Sequence, residues 1–405
     1  LVDIMKRSAA QARFASVLLV ALLVGMFAGI AETASAATPA SWTLLQGFSK
    51  SGAVHSPTFI SATRGWAVIG NRLLQTNDGG QRWSLSLPPE WDTSLPVAIS
   101  FSDATHGWAV GDGFIMATTN SGAHWTRQAA EMTGGAEWVA VQALDALHVT
   151  VVSSSGVVLR TEDGGATWTP CAAAPGVTLR ALRFADAAHG WIVGADADGR
   201  GLILATTDGG TTWNSQTNPA LAELSAVHFA DAARGWAAGS GGLVRTTDGG
   251  ITWSAASWPL PARPTTEPTL HATLAFVSAT HGFLGVDADG PALWETLDGG
   301  ITWTTVAPAG GASAKVFGLV ALDATNVLVT GTSLPAGETL TAGGIWKWAV
   351  SGSAAAPNSV VTRADTARKV TAAAKRAAAR RAAAARRVAA ARKAAAARRA
   401  AARRR

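Results

Sequence analysis

The segment Thr-x-Asp-Gly-Gly-x-x-Trp recurs at Thr76 to Trp83, Thr161 to Trp168, Thr206 to Trp213, Thr246 to Trp253 and Thr296 to Trp303. A further copy ends at Trp125, with Asn120-Ser121 replacing Asp-Gly. Before each box lies a short apolar segment, Gly-Trp at Gly65, Gly107, Gly190 and Gly235 and Gly-Phe at Gly282. Its counterpart in the third unit is His148 to Val152, and a seventh copy without a box runs from Asn326 to Gly331. Seven units with a period of about 43 residues constrain the fold severely, because one such unit cannot bury its own apolar face. Short alternating strands, four per unit, with glycine turns at this period predict an all-β, seven-bladed β-propeller. The seventh outer strand is then expected from Ser41-Trp42-Thr43-Leu44, pairing with a chain that finishes at Ile345-Trp-Lys-Trp348 and so closing the ring. Closure removes exposed sheet edges, which suits a monomer.

Composition sharpens the division of the chain. Among 405 residues there are 17 Trp, 43 Gly, no Tyr and one Cys, so an internal disulfide framework is excluded. Lys6, Arg7 and Arg13 precede an uncharged run from Phe14 to Ala31, and Ala34-Ser35-Ala36 follows. The pattern predicts a signal peptide over residues 1–36 and an exported, extracellular or envelope-associated protein; an uncleaved anchor is the alternative reading. The propeller is expected over 37–350, a linker over 351–370 and a low-complexity tail over 371–405. Residues 37–362 hold 14 Lys and Arg against 24 Asp and Glu, whereas 363–405 hold 16 against one.

The boxes resemble the BNR or Asp-box repeat, and the Gly-Trp-Ala-Val-Gly units resemble the photosystem II stability/assembly factor group of propellers. The resemblance covers about residues 42 to 348. It implies a seven-bladed propeller whose boxes join third to fourth strands on the rim away from the usual active site. It also implies inter-blade packing for Trp66, Trp108, Trp191 and Trp236, and a chaperone-like platform for another protein. An arginine patch matters in that group; the sequence leaves open which of Arg64, Arg72, Arg82, Arg160, Arg183 and Arg245 belong to one. Asp78, Asn120, Asp163, Asp208, Asp248 and Asp298 are read as structural, their side chains accepting amides of the tight Gly-Gly turn.

Histidines 106, 148, 189 and 281 precede the second strand of their units, a ring that suggests a metal. Equivalent positions in successive blades are too far apart to share an ion at about 2.1 Å, so they are read as turn residues and no metal or cofactor is expected. The Asp-x-Asp-Gly runs at Asp196 and Asp287 are read as hairpin turns rather than calcium loops, since the later acidic ligands are missing.

Function is sought where the copies differ. The loops joining second to third strands, and those leading from blade to blade, share the rim opposite the boxes. That rim gathers Arg72, Asp112, Asp196, Asp198, Arg200, Asp287 and Asp289, together with Trp91, Trp138 and Trp258, which belong to neither repeated set. Tryptophans exposed beside carboxylates suit a protein, peptide or sugar ligand, and inward packing is the alternative. A sialidase would require, by the same resemblance, a tyrosine nucleophile that this chain lacks. A secreted carbohydrate-binding protein, or a glycosidase drawing on Asp92, Glu131, Glu137, Glu223 or Glu267, is the alternative function.

The tail carries Lys375, Arg376, Arg380, Arg381, Arg386, Arg387, Arg392, Lys393, Arg398, Arg399, Arg403, Arg404 and Arg405 in an alanine background. Alanine favours helix while like charges oppose it until an anion neutralises them. Steps of five or six residues scatter the clusters around a helix axis, so the tail is expected to meet an anionic polymer or membrane surface from any side, nucleic acid being one such polymer. The leading function from sequence is a non-catalytic, assembly-factor-like propeller that binds an envelope or secreted protein and is tethered by this tail.

Overall fold

The computed structural model describes residues 41–48, 53–91, 95–128, 135–171, 176–220, 222–260, 270–287, 293–306, 314–323, 326–333 and 342–349. The expected signal peptide, linker and basic tail lie outside the described residues. Among those described, the strands form seven antiparallel sheets of four. No described helix is long and apolar enough to cross a membrane.

Six blades are built consecutively. In the first, Val54–Phe59 is innermost and Gly65–Ile69, Arg72–Thr76 and Ser84–Ser86 follow outward. The inner strands of the others are Pro96–Phe101, Trp138–Ala143, Thr178–Phe184, Leu224–Phe229, Ala272–Phe276 and, in the seventh, Ala314–Asp323. Each inner strand touches the next, and Ala314–Asp323 returns to Val54–Phe59, so the ring is closed. In the seventh blade the order outward is Ala314–Asp323, Asn326–Ser333, Ala342–Ala349 and Ser41–Phe48. The last two pair antiparallel, with Trp42 opposite Trp348 and Leu44 opposite Trp346. The expected joining of the amino-terminal strand to the end of the propeller is therefore what the chain does.

The Gly-Trp signature has a direct packing explanation. The last residue of an inner strand is Phe59, Phe101, Phe184, Phe229 or Phe276, and each pairs with the glycine that opens the second strand. The phenyl ring lies flat over that glycine: a Cβ on Gly190 would sit 2.6 Å from Phe184, and one on Gly107 at 2.6 Å from Phe101. The tryptophan after the glycine covers the other side of the next blade's ring. Trp66 stacks on Phe101 at 3.8 Å, Trp191 on Phe229 at 3.4 Å and Trp236 on Phe276 at 3.6 Å. Such pairs add about 1 kcal/mol beyond the area they bury. The box tryptophans Trp125, Trp213, Trp253 and Trp303 meet the edges of the same kind of ring, 5.8 to 6.3 Å away. One repeated glycine thus makes room for the ring that staples consecutive blades.

The third and seventh blades show the same rule by breaking it twice at once. There the inner-strand ring is replaced by Ala143 and Ala321, and the paired glycine by Val149 and Val327. When the phenyl group is absent, the glycine is no longer needed and a β-branched residue fills the space.

Candidate functional site

The two rims differ in chemistry. On the first, the box turn docks on the turn between first and second strands of its own blade: Gly79 N bonds Thr63 O at 2.8 Å, and Gly209 N bonds Ala188 O at 3.0 Å. Gly79 and Gly80 have φ of 72° and 83°, a conformation that side chains resist. The buried threonine is the hub. The Thr161 hydroxyl donates to Asp163 Oδ1 at 2.8 Å and accepts from the amide of Gly165 at 2.9 Å, and the other boxes repeat this pair. The carboxylate accepts the amide four residues on, from Arg82, Thr167, Thr212, Thr252 or Thr302. This refines the expectation: the glycine amide goes to the threonine, and the aspartate takes the amide just before the tryptophan.

Hydrogen bonds from the Thr167, Thr252 and Thr302 hydroxyls hold Asp163, Asp248 and Asp298 down to about 2, and the Thr212 amide leads the same effect at Asp208. In the second blade Asn120 makes the equivalent bonds without charge. Ser121 there occupies the first glycine's place at φ 67°, its hydroxyl anchored to Ala104 O at 2.7 Å.

The histidines preceding the second strands lie on this rim and are engaged locally. His106, His148 and His189 each contact the aspartate three residues earlier, Asp103, Asp145 and Asp186, at 2.8 to 3.0 Å. His281 instead meets Glu295 at 2.8 Å. Among the described residues no three metal-ligating side chains converge.

The opposite rim carries the irregular loops. Asp196 to Arg200 forms a hairpin turn, Asp196 Oδ1 accepting the amides of Asp198 at 3.0 Å and Arg200 at 2.8 Å. Asp198 and Arg200 are exposed, 3.4 Å apart. Arg72 is exposed at the start of its strand. Asp287 ties to the His271 backbone by bonds of 2.9 and 3.1 Å, while Asp289 lies outside the described residues. Asp112 bridges to Glu137, and Glu137 accepts the Ser154 hydroxyl at 2.8 Å. Arg180, on the inner strand of the fourth blade, pairs with Glu223 at the entry to the fifth at 2.6 Å. Of the carboxylates suggested for glycoside chemistry, Asp92, Glu131 and Glu267 lie outside the described residues, and Glu137 and Glu223 have these local partners.

Trp91 and Trp138 do not belong to the rim surface. Both are fully buried. Trp91 packs with Trp125, Trp66 and Phe101 between the first two blades, and Trp138 with Trp108, Val110 and Ile115 between the second and third. The exposed reading of these two is thereby corrected: a ring of this size left over at a blade entry fills the wedge beneath the loop. Trp258 is half-buried. Aligning Trp138-Val-Ala-Val-Gln-Ala with Pro96-Val-Ala-Ile-Ser-Phe already puts Trp138 at the first position of an inner strand, where Leu224 is buried too.

Sequence reasoning missed one set, the residue preceding the inner-strand ring or, in the third blade, the alanine that replaces it. Ser100 Oγ accepts the amide of Ala143 at 3.1 Å, and Gln142 bonds both the amide and the carbonyl of Phe184, at 2.8 and 3.2 Å. His228 reaches Phe276 O at 3.1 Å. Each side chain clamps the backbone of the next blade. Arg183 holds the same position in the fourth blade.

The sequence family described as Photosynthesis system II assembly factor YCF48 matches residues 34–178 and 174–270, together more than half of the chain. No curated protein sequence matches. Among solved structures, one described as YCF48 bound to D1 peptide superposes with a TM-score of 0.58 at 20% identity, over 78% of this chain and 96% of that one. YCF48 from Cyanidioschyzon merolae gives 0.57 at 19% identity, over 76% and 98%. A GH74 xyloglucanase from Xanthomonas campestris gives 0.56 at 14% identity, over 73% of this chain and 53% of that one. At these identities the structures show a common fold.

Proposed function

The chain belongs to the family of the photosynthesis system II assembly factor YCF48, and on that premise we propose that it is an exported propeller that binds a segment of another protein on its variable rim. The family match carries this reading, and the relative described with a bound D1 peptide supports a protein ligand over a sugar. The division of labour between the rims supports it further. Carboxylates on the box rim accept bonds within their own turns, whereas Arg72, Asp198 and Arg200 stand exposed on the opposite rim. Their irregular spacing offers a partner a pattern that the repeated rim lacks.

The reading includes tethering. Sixteen basic residues against one acid after residue 362 would hold an otherwise acidic propeller at an anionic envelope surface. The test is affinity capture from envelope extracts with three proteins: the full chain, a truncation at Arg363, and the full chain carrying Arg72→Glu and Arg200→Glu. A partner retained by the truncation and lost from the double variant is the expected result. Capture that disappears with the tail and ignores the rim changes would overturn rim recognition.

A further inference from the structure

Arg183 departs from its counterparts. Ser100, Gln142 and His228 all reach the backbone of the next blade, but the guanidinium of Arg183 has no hydrogen-bond or ion-pair partner among the described residues. Its Nε is sealed from solvent without a partner. The residue as a whole is half-buried, and among the described residues no partner meets its terminal nitrogens. Burial pushes the Arg183 guanidinium down from its ordinary value. Arg180, on the same strand, has a carboxylate partner in Glu223 at 2.6 Å. Facing Arg183 from the fifth blade is His228, which burial first, and the Arg183 charge second, push down to about 3. The site therefore holds a permanent cation beside a neutral imidazole.

A half-buried cation without a counter-charge is costly, and a guanidinium always stays charged. Its two free terminal nitrogens present the paired donors that suit a planar or tetrahedral oxyanion end-on. We propose that Arg183 anchors a site for a small free oxyanion, of the phosphate or carboxylate kind, at the inner strands of the fourth and fifth blades, with His228 as its neighbour. The bound ion completes the inter-blade contact that Gln142 makes one blade earlier. This assignment is independent of which protein the rim binds.

The third blade supplies the control. Glutamine at this position already joins two blades, so Arg183→Gln can take up the backbone of Phe229 as Gln142 takes up that of Phe184. In a buffer containing only bulky, weakly coordinating anions, the full chain with Arg183→Gln should melt at or above the wild-type temperature. Sodium phosphate or acetate should then raise the wild-type melting temperature by about 5 °C at a hundredfold excess over Kd. It should raise that of Arg183→Gln by much less; the basic tail is common to both and cancels. Equal phosphate dependence in the two proteins overturns the proposal. A second readout needs no variant fold: with 15N-histidine labelling, and His228→Gln used only to assign the signal, phosphate should move the His228 resonance saturably and raise its pKa, since an adjacent anion favours the imidazolium. An unmoved His228 signal overturns the site whatever the melting curves show.

Discussion

On the box rim, an aspartate or asparagine occurs in six successive turns with the same partners, a buried threonine hydroxyl and the amide four residues on. On the opposite rim the charged residues have no such common set of partners: Asp196 accepts the amides of its own hairpin, Asp287 ties to His271, and the exposed side chains of Asp198 and Arg200 meet across 3.4 Å. The repeated carboxylates all serve their own turns, whereas on the variable rim some, such as Asp196 and Asp287, serve a turn and others, such as Asp198, stand exposed. The difference teaches that charge alone does not mark a site here; a carboxylate's hydrogen-bond occupancy does. The comparison can be broken at several points, beginning with the ring that holds both rims in place.

Removing Ser41–Phe48 takes away the outer strand of the seventh blade and bares the edge of Ala342–Ala349. The melting temperature should fall by about 10 °C or more, with increased proteolysis and self-association at the new edge. Calorimetry and limited proteolysis would register it. An unchanged melting temperature would contradict ring closure as a source of stability.

Next in size is the ring-over-glycine unit. Phe184→Ala should cost about 3 to 5 kcal/mol by leaving a cavity under Trp213. Gly190→Ala should cost about 1 to 3 kcal/mol, because its Cβ would meet the Phe184 ring at 2.6 Å. The third and seventh blades already pair alanine with valine at these places, so Phe184→Ala with Gly190→Val should be less destabilised than the sum of its parts. Additive urea-denaturation energies would mean that the exchange in those two blades is incidental.

The box rim itself offers a graded pair of tests. Thr161→Val strands the Gly165 amide and should cost about 1 to 3 kcal/mol. The charge is a subtler matter. Asp208 titrates near 2 in the folded protein, below the value of about 4 for an unfolded aspartate, so its contribution is fully present above pH 4 and is lost as pH falls toward 2. Asp208→Asn keeps the geometry that Asn120 uses in the second blade. It should therefore fold normally while flattening the dependence of the urea midpoint on pH between 4 and 2. A slope identical to wild type would show that the box carboxylates do not couple to stability.

Much of this was legible because a repeat compares a sequence with itself. The period, the box and the Gly-Trp strand led to seven blades, and the missing seventh outer strand led to Ser41-Trp42-Thr43-Leu44, the first half of the observed Ser41–Phe48. The second strands of the third and seventh blades were legible even without their Gly-Trp pair. Burial of Trp91 and Trp138 was harder to read, since a tryptophan outside the repeat has no counterpart to show which way it faces; only the wedge between blades decides it. The inner-strand clamp was invisible for the opposite reason. Ser100, Gln142 and His228 share one position but no chemical type, so no motif announces that all three bond the next blade.

The smallest stability effect belongs to the variable rim, and there it tests function. Asp198→Ala and Arg200→Ala remove exposed groups that touch each other across 3.4 Å, an ion pair of the kind worth at most a few tenths of a kcal/mol. The Asp196 side chain, which organises that hairpin through the amides of Asp198 and Arg200, is untouched by either change. Melting temperature should stay within about 1 °C, since surface substitutions of this kind stay within about 0.5 kcal/mol. Partner capture should nevertheless fall for these variants and persist for Asp208→Asn, whose carboxylate serves its own turn. Retained capture in the rim variants, with loss in the box variant at equal stability, would place the partner on the repeated face and make the box turns themselves its recognition surface.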